Sequence, residues 1–188
     1  MLIYFIGSHS TGKSTLAEYI SKERGVGLQP EIARQEILKN KIDLNALRRN
    51  LNELTNFQVD LLNKQIAVET EQFSKSDNMI FDRCGVDVMA YTIEHTIQAE
   101  KIFNNIKIKD YLENFKKQKK VVFFLRPHID LLENDGIREK VEMTSIYHID
   151  GVIKTLLNIS GIDYISINSS NFSERVSTVN TILKHYEL

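Results

Sequence analysis

The 188 residues amount to about one domain on the usual ~100–200 residues per domain, and 42% hydrophobic with 26% charged residues excludes disordered, collagen-like and disulfide-built chains. Lys plus Arg number 24 against 25 Asp plus Glu, a net charge of −1, so no chain-wide grip on DNA or RNA is expected and nucleic acid is an unfavoured partner. A lone cysteine (Cys84), no apolar run near the ~20 residues that cross a membrane, and a start without a basic leader together predict one cytosolic domain over residues 1–188.

In chain order, residues 2–6 are a run of apolar β-formers ended by Gly7, which predicts a buried strand. Residues 14–24 set Leu16, Ala17 and Ile20 on one helical face, with Gly25 as the stop. Residues 26–29 read as a second short strand closed by Pro30, and 31–39 as a helix. From Asp43, a suitable N-cap, Leu44, Leu47, Leu51, Leu54, Phe57 and Leu61 step by three and four. That spacing predicts one long helix over 43–73, packed on the domain or offering a face for a homodimer. A strand over 79–81 ends at Asp82-Arg83, and helices follow over 85–97 and 102–116. Residues 121–125 are an unbroken apolar strand of the kind buried on both faces. A polar stretch over 126–145 has the composition of a lid; a helix over 146–157, a strand over 164–167 and a helix over 172–185 complete the chain. Strands alternating with helices predict an α/β protein of three layers, with a parallel sheet of about five strands and helices on both faces.

The run from Gly7 through Ser8, His9, Ser10, Thr11, Gly12 and Lys13 to Ser14 matches G-x-x-x-x-G-K-[ST] without a mismatch, between a strand and a helix. Glycines let a backbone wrap closely round phosphate oxygens, and successive N–H groups at a helix N-terminus present positive ends to an anion. Ser10, Thr11, Gly12, Lys13, Ser14 and Thr15 are therefore the candidate nucleotide contacts. Lys13 would bring its charge to the β- and γ-phosphates and Ser14 its hydroxyl to magnesium. His9 reads as filler at a variable loop position.

An acidic residue at the tip of a strand beside the phosphate-loop strand completes the metal shell of such enzymes, which makes Asp82 a metal or catalytic candidate. No Asn-Lys-x-Asp motif reads guanine, so a GTPase is not expected. Arg126 and Arg138 could close over a transferring phosphoryl group from the 126–145 segment. Glu31 could orient or deprotonate an acceptor hydroxyl.

Gly7 to Ser14, Pro30-Glu31-Ile32-Ala33-Arg34, Phe81-Asp82-Arg83 with Asp87 and Ala90-Tyr91, and Asp135-Gly136-Ile137-Arg138 occur in that order. The set resembles a group of small P-loop ATPase/kinase proteins that includes the ribosylnicotinamide kinase domain of bifunctional NAD-biosynthesis proteins. The resemblance implies a nucleoside-kinase-like fold, ATP and magnesium, and transfer of the γ-phosphoryl to a small hydroxyl-bearing acceptor, with ribosylnicotinamide or a deoxynucleoside foremost. It implies an acceptor site lined by Glu31 and Arg34, and Asp82 as metal-linked group or general base. Arg83 would face phosphates or acceptor, Arg138 would act from the lid, and Asp87 and Tyr91 would border the acceptor. The chain departs from the bifunctional proteins in lacking an adenylyltransferase domain. It has no tryptophan to stack on a base, a role open to Tyr91, Phe57 or Tyr147. Three alternatives stand beside this reading. One is a nucleotide kinase using Arg34, Arg48 and Arg49. Another acts on nucleic acid through Lys116, Lys117, Lys119 and Lys120. The last is a regulatory ATP-binding module.

Overall fold

A computed structural model describes residues 1–75, 77–106, 108–131 and 143–186. Leu2–Ile6 (β1) is buried throughout, as its apolar run requires. It pairs in parallel with Met79–Asp82 (β3) on one side and Lys120–Leu125 (β4) on the other. Gly27–Gln29 (β2) adds to β3 and Ile165–Ile167 (β5) to β4, giving five parallel strands in the order β2-β3-β1-β4-β5. The order reverses direction about β1. In open parallel sheets such a switch point opens a crevice at the carboxyl ends of the strands, where ligands bind.

Alternating side chains divide the core. Tyr4, Ile6, Phe81, Val122 and Phe124 face one layer of helices, while Ile3, Phe5, Ile80, Phe123 and Leu125 face the other. The second layer consists of Lys13–Arg24 (α1), which buries Leu16, Ala17 and Ile20, and Phe172–Lys184 (α9), which buries Val179 and Leu183. The first layer is larger. It contains Ile32–Asn40 (α2), Leu44–Arg49 (α3), Leu51–Phe73 (α4), Gly85–His95 (α5), Ala99–Asn105 (α6), Ile108–Lys117 (α7) and Met143–Ile159 (α8).

Two helices expected from spacing are divided. The 43–73 helix breaks at Asn50, whose backbone is extended (φ −114°, ψ 97°) and whose side chain accepts from the N–H groups of Asn52 and Glu53. The leucine spacing runs on across the break with Leu47 of α3 and Leu54 of α4 buried, while Leu51 at the junction is exposed. The expected 102–116 helix is α6 and α7, and α8 begins at Met143 rather than at residue 146. On α4, Leu54, Leu61 and Leu62 are buried, the last two in the core beside α5. Of the lid expected over 126–145, residues 132–142, including Asp135, Gly136 and Arg138, lie outside the described residues. Among the described residues no helix is long and apolar enough to cross a membrane.

Candidate active site

The loop between β1 and α1 turns through backbone conformations that favour glycine. Gly7 has φ +143°, and a Cβ there would meet the Leu125 carbonyl oxygen at 2.4 Å. Gly12 has φ +75° and caps α1 without a side-chain bond, which leaves the first N–H groups of the helix for another acceptor. Lys13 is buried, and its Nζ donates to the Ser8 carbonyl (2.5 Å) and Thr11 Oγ1 (3.1 Å) of its own loop. Burial first, and the neighbouring Arg83 cation second, lower its pKa to about 7.

Asp82 closes β3 directly across from the loop. Its Oδ2 accepts from Ser14 Oγ at 2.6 Å, while its buried Oδ1 has no hydrogen-bond partner. Burial raises its pKa, opposed chiefly by Lys13. Two adjacent hard oxygen donors, one with an unused lone pair, fit a magnesium ion that takes its remaining ligands from water and phosphate. No group of three or more His, Cys, Asp or Glu suited to a metal occurs among the described residues, which accords with so sparse a protein shell.

Arg83 carries a left-handed backbone (φ +86°), which is costly for a residue with a Cβ and is held by dense contacts. Its Nε lies 2.9 Å from Glu31 Oε1, its Nη1 donates to the Gly7 carbonyl (3.1 Å) and approaches Asp87 Oδ1 (3.4 Å), and its guanidinium lies over the Tyr91 ring at 5.1 Å. Burial works against its charge, but Glu31, Asp87 and Asp82 outweigh that and raise its pKa. Asp87 also accepts from the Gly7 N–H (2.9 Å) and the Cys84 N–H (3.1 Å), tying the loop to the start of α5.

Beside the loop lies a pocket of about 390 Å³. His9, Glu31, Arg83 and Tyr91 stand at its polar side, and α3 and α4 wall it with Leu44, Leu47, Leu54, Phe57 and Leu61. Gln58, 5% exposed, lines it with a buried Oε1 that has no hydrogen-bond partner. Arg48 and His95 complete the lining with Ser145 and Ile149 of α8.

Most residues singled out in the sequence thus converge. Lys13, Ser14 and Asp82 meet at the loop, and Glu31, Arg83 and Tyr91 face the pocket, with Asp87 beneath them. Ser10, Thr11 and Gly12 make the loop's turn, and Thr15 is exposed in the first turn of α1. Arg34 is half-buried and does not line the pocket. Arg126 is engaged elsewhere: its Nη2 lies 2.6 Å from Asp150 Oδ2 on α8, and its guanidinium lies over the Phe124 ring. Phe57 and Tyr91 line the pocket, whereas Tyr147 is exposed. His9 is part of the wall, with Nδ1 2.8 Å from the Tyr91 hydroxyl. Lys116, Lys117, Lys119 and Lys120 gather at the start of β4, the end of the sheet opposite the loop. Arg48, named for a nucleotide-kinase site, does line the pocket, whereas Arg49 does not. Gln58, His95 and Arg175, which bonds the Thr11 carbonyl from α9, carry no motif. A polar Gln58 next to the stripe of Leu54, Phe57 and Leu61 is the only trace any of these three leaves in the sequence.

A family model described as an AAA domain matches residues 2–175. No curated protein matches the chain. Among solved structures it is similar to deoxyadenosine kinase from M. mycoides with dCMP and dCDP bound, at 16% identity and a TM-score of 0.72, covering 98% of this chain and 100% of that one. It is similar to the NadR protein in complex with NR at 14% identity and a TM-score of 0.73, with 96% of this chain covered but only 50% of NadR. Thymidylate kinase from Candida albicans follows at 14% identity and a TM-score of 0.67, covering 99% and 92%. At these identities the likeness is one of fold, and the fold is that of P-loop kinases.

Proposed function

The chain belongs to the AAA-domain family of P-loop proteins, and on that premise we propose that it is an ATP- and magnesium-dependent kinase acting on a hydroxyl of a small nucleoside-like acceptor. The observation that carries the reading is the pocket: a largely apolar chamber of about 390 Å³ beside the phosphate loop, with a buried Glu31–Arg83 pair at 2.9 Å on its polar side. Its size and lining suit a heterocycle with a sugar. Phe57 and Tyr91 offer ring faces, and the Gln58 Oε1, buried without a partner, offers an acceptor to the edge of a base. Neighbours of the fold include a protein named for deoxyadenosine phosphorylation and one bound to NR, which supports this acceptor class, while a thymidylate kinase, named for a nucleoside monophosphate, stands with the second reading below.

In this reading catalysis is positioning and charge neutralisation. Lys13 turns from the Ser8 carbonyl to the β- and γ-phosphates. Ser14 and Asp82 would hold magnesium, which would supply positive charge to the donor phosphates. Glu31, inside the pocket, takes the proton of the acceptor hydroxyl as its oxygen bonds to the γ-phosphorus and ADP leaves. Asp82 lies on the metal side, so the two carboxylates divide the work. Arg83 fixes Glu31 and neutralises it in the resting site. Arg138 belongs to the proposal as the lid cation, and Arg126 joins it once released from Asp150. A second reading, a nucleotide kinase, is favoured by one observation, the presence of Arg48 in the lining, where it could meet an acceptor's phosphate.

An acceptor screen with ATP and magnesium tests this. Ribosylnicotinamide, nucleosides and deoxynucleosides, their monophosphates and single-stranded DNA are offered, and transferred phosphate is read. One nucleoside acceptor, with transfer abolished by Lys13→Ala, is expected. A monophosphate acceptor selects the second reading. ATP binding with no transfer to any acceptor overturns both in favour of a regulatory module.

A further inference from the structure

Arg175 lies in the first turn of α9, outside every motif. It is 2% exposed, yet it holds two backbone oxygens at once: Nε donates to the Ser169 carbonyl and Nη1 to the Thr11 carbonyl, each at 2.5 Å. Its Nη2 is buried with no hydrogen-bond partner. No carboxylate forms an ion pair with it among the described residues, and burial alone bears on its ionisation, lowering its pKa. The other buried cations of the site differ. Arg83 has Glu31 and Asp87, and Lys13 feels Asp82, Asp87 and Glu31. Buried charges are ordinarily paired because leaving water is costly. A guanidinium clamped on an anion-binding loop with no carboxylate of its own is missing an anion.

We propose that the donor's phosphates are that anion, and that Arg175 is a positioning residue for donor binding. Two effects combine. The first is charge, acting through the loop at short range and in a poorly screened site. The second is orientation. The Thr11–Gly12 peptide is trans, so drawing the Thr11 carbonyl toward Arg175 sends the Gly12 N–H to the opposite side. That N–H is one of the donors with which such a loop cradles phosphate. The guanidinium packs directly on the loop, because a Cβ at Gly12 would lie 3.0 Å from Nη1. The C-terminal helix is thereby made part of the donor site.

The inference rests on the phosphate-loop reading but not on the acceptor, so binding alone tests it. The affinities of the full chain for ATP with magnesium, for inorganic tripolyphosphate and for adenosine are measured for wild type, Arg175→Met and Arg175→Lys. Arg175→Met is expected to weaken both phosphate ligands by about tenfold, a usual loss for one charge-assisted contact, and to leave adenosine affinity unchanged. Arg175→Lys, which keeps the charge and loses the fork, should fall between. Unchanged ATP affinity in Arg175→Met overturns the proposal. So does an equal deficit in Arg175→Lys and Arg175→Met that extends to adenosine, which marks a merely structural role. If Arg175→Met fails to fold, Arg175→Lys decides against wild type, and equal affinity overturns the proposal. Wild type that binds neither ligand refutes the phosphate loop itself, a separate result that removes this inference with it.

Discussion

At the residue scale, two carboxylates that the sequence leaves interchangeable acquire different surroundings. Asp82 accepts from Ser14 and keeps a bare oxygen beside the phosphate loop, whereas Glu31 pairs with Arg83 in the pocket wall. Replacing Glu31 by Gln keeps the side-chain volume and removes the base. Such a variant should lose about 10²–10⁴ in kcat, the usual contribution of a general base, while its affinity for ATP stays near that of wild type. Steady-state kinetics beside a nucleotide titration check this. An equal loss of ATP affinity would place Glu31 with the donor instead. Residues whose placement follows from neighbours in sequence, such as Lys13, Ser14 and Asp82, could be brought to one loop before any fold was known, and Arg48 was singled out as a candidate cation. Gln58 and Arg175 were not, because their partners lie on other elements and no local pattern encodes those meetings. Arg34 and Arg126 show the converse: a charge near a motif goes wherever packing sends it.

At the element scale, the phosphate loop, all five strands and α9 follow from local signals, since short apolar runs bounded by Gly, Pro or Asp leave one solution. The division of the 43–73 helix does not follow from periodicity. Leucines three and four apart suit two helices meeting at Asn50 as well as one, and only the Asn50…Glu53 spacing, typical of a helix start, marks the break. Asn50 Nδ2 in fact donates to Glu53 Oε1 at 2.8 Å. The break matters to the site, because α3 leaves the axis of α4 and brings Leu44, Leu47 and Arg48 to the pocket. Asn50→Ala removes a cap worth about 1 kcal/mol. It should lower the urea midpoint modestly and raise the acceptor's KM, because a frayed junction lets α3 drift. ATP binding should stay unaltered. An acceptor KM equal to wild type would mean that α3 is held by its own packing.

At the scale of the whole molecule, the sheet gathers one face of helices around a buried polar knot that the proposed chemistry does not use. Glu69 on α4 is fully buried. Its Oε1 accepts from Gln65 Nε2 and the Gly85 N–H, each at 2.8 Å, and its Oε2 from the Tyr111 hydroxyl at 2.8 Å. It thus joins α4, the start of α5 and α7. Gly85 is the only residue type that fits there, because a Cβ would lie 2.6 Å from the Tyr111 hydroxyl. Burial raises the pKa of Glu69 to about 8, against its hydrogen bonds from Gln65 and Tyr111. A pKa raised on folding means that the native state binds the extra proton. The stabilisation is complete below the unfolded value of 4.5 and is lost as pH climbs through about 8, with a slope approaching ~1.4 kcal/mol per pH unit inside that window. Asp82 and Asp87, also raised by burial, slope the same way from their own lower starting value. Lys13, lowered to about 7 from 10.5, acts in a different window: its penalty is full below 7 and is relieved as pH rises toward 10.5. Stability should therefore decline from pH 5 to about 7, level off between about 7 and 8 where the Glu69 and Lys13 slopes oppose each other, and recover above 8 as the Lys13 penalty is relieved. Glu69→Gln removes the titration and still accepts from Gln65 and Gly85 while donating to Tyr111. Urea unfolding at successive pH values should give a visibly flatter profile for Glu69→Gln than for wild type from pH 5 to about 7. Parallel profiles would show that Glu69 is ionised in the native protein, and that α4, α5 and α7 meet around a buried charge.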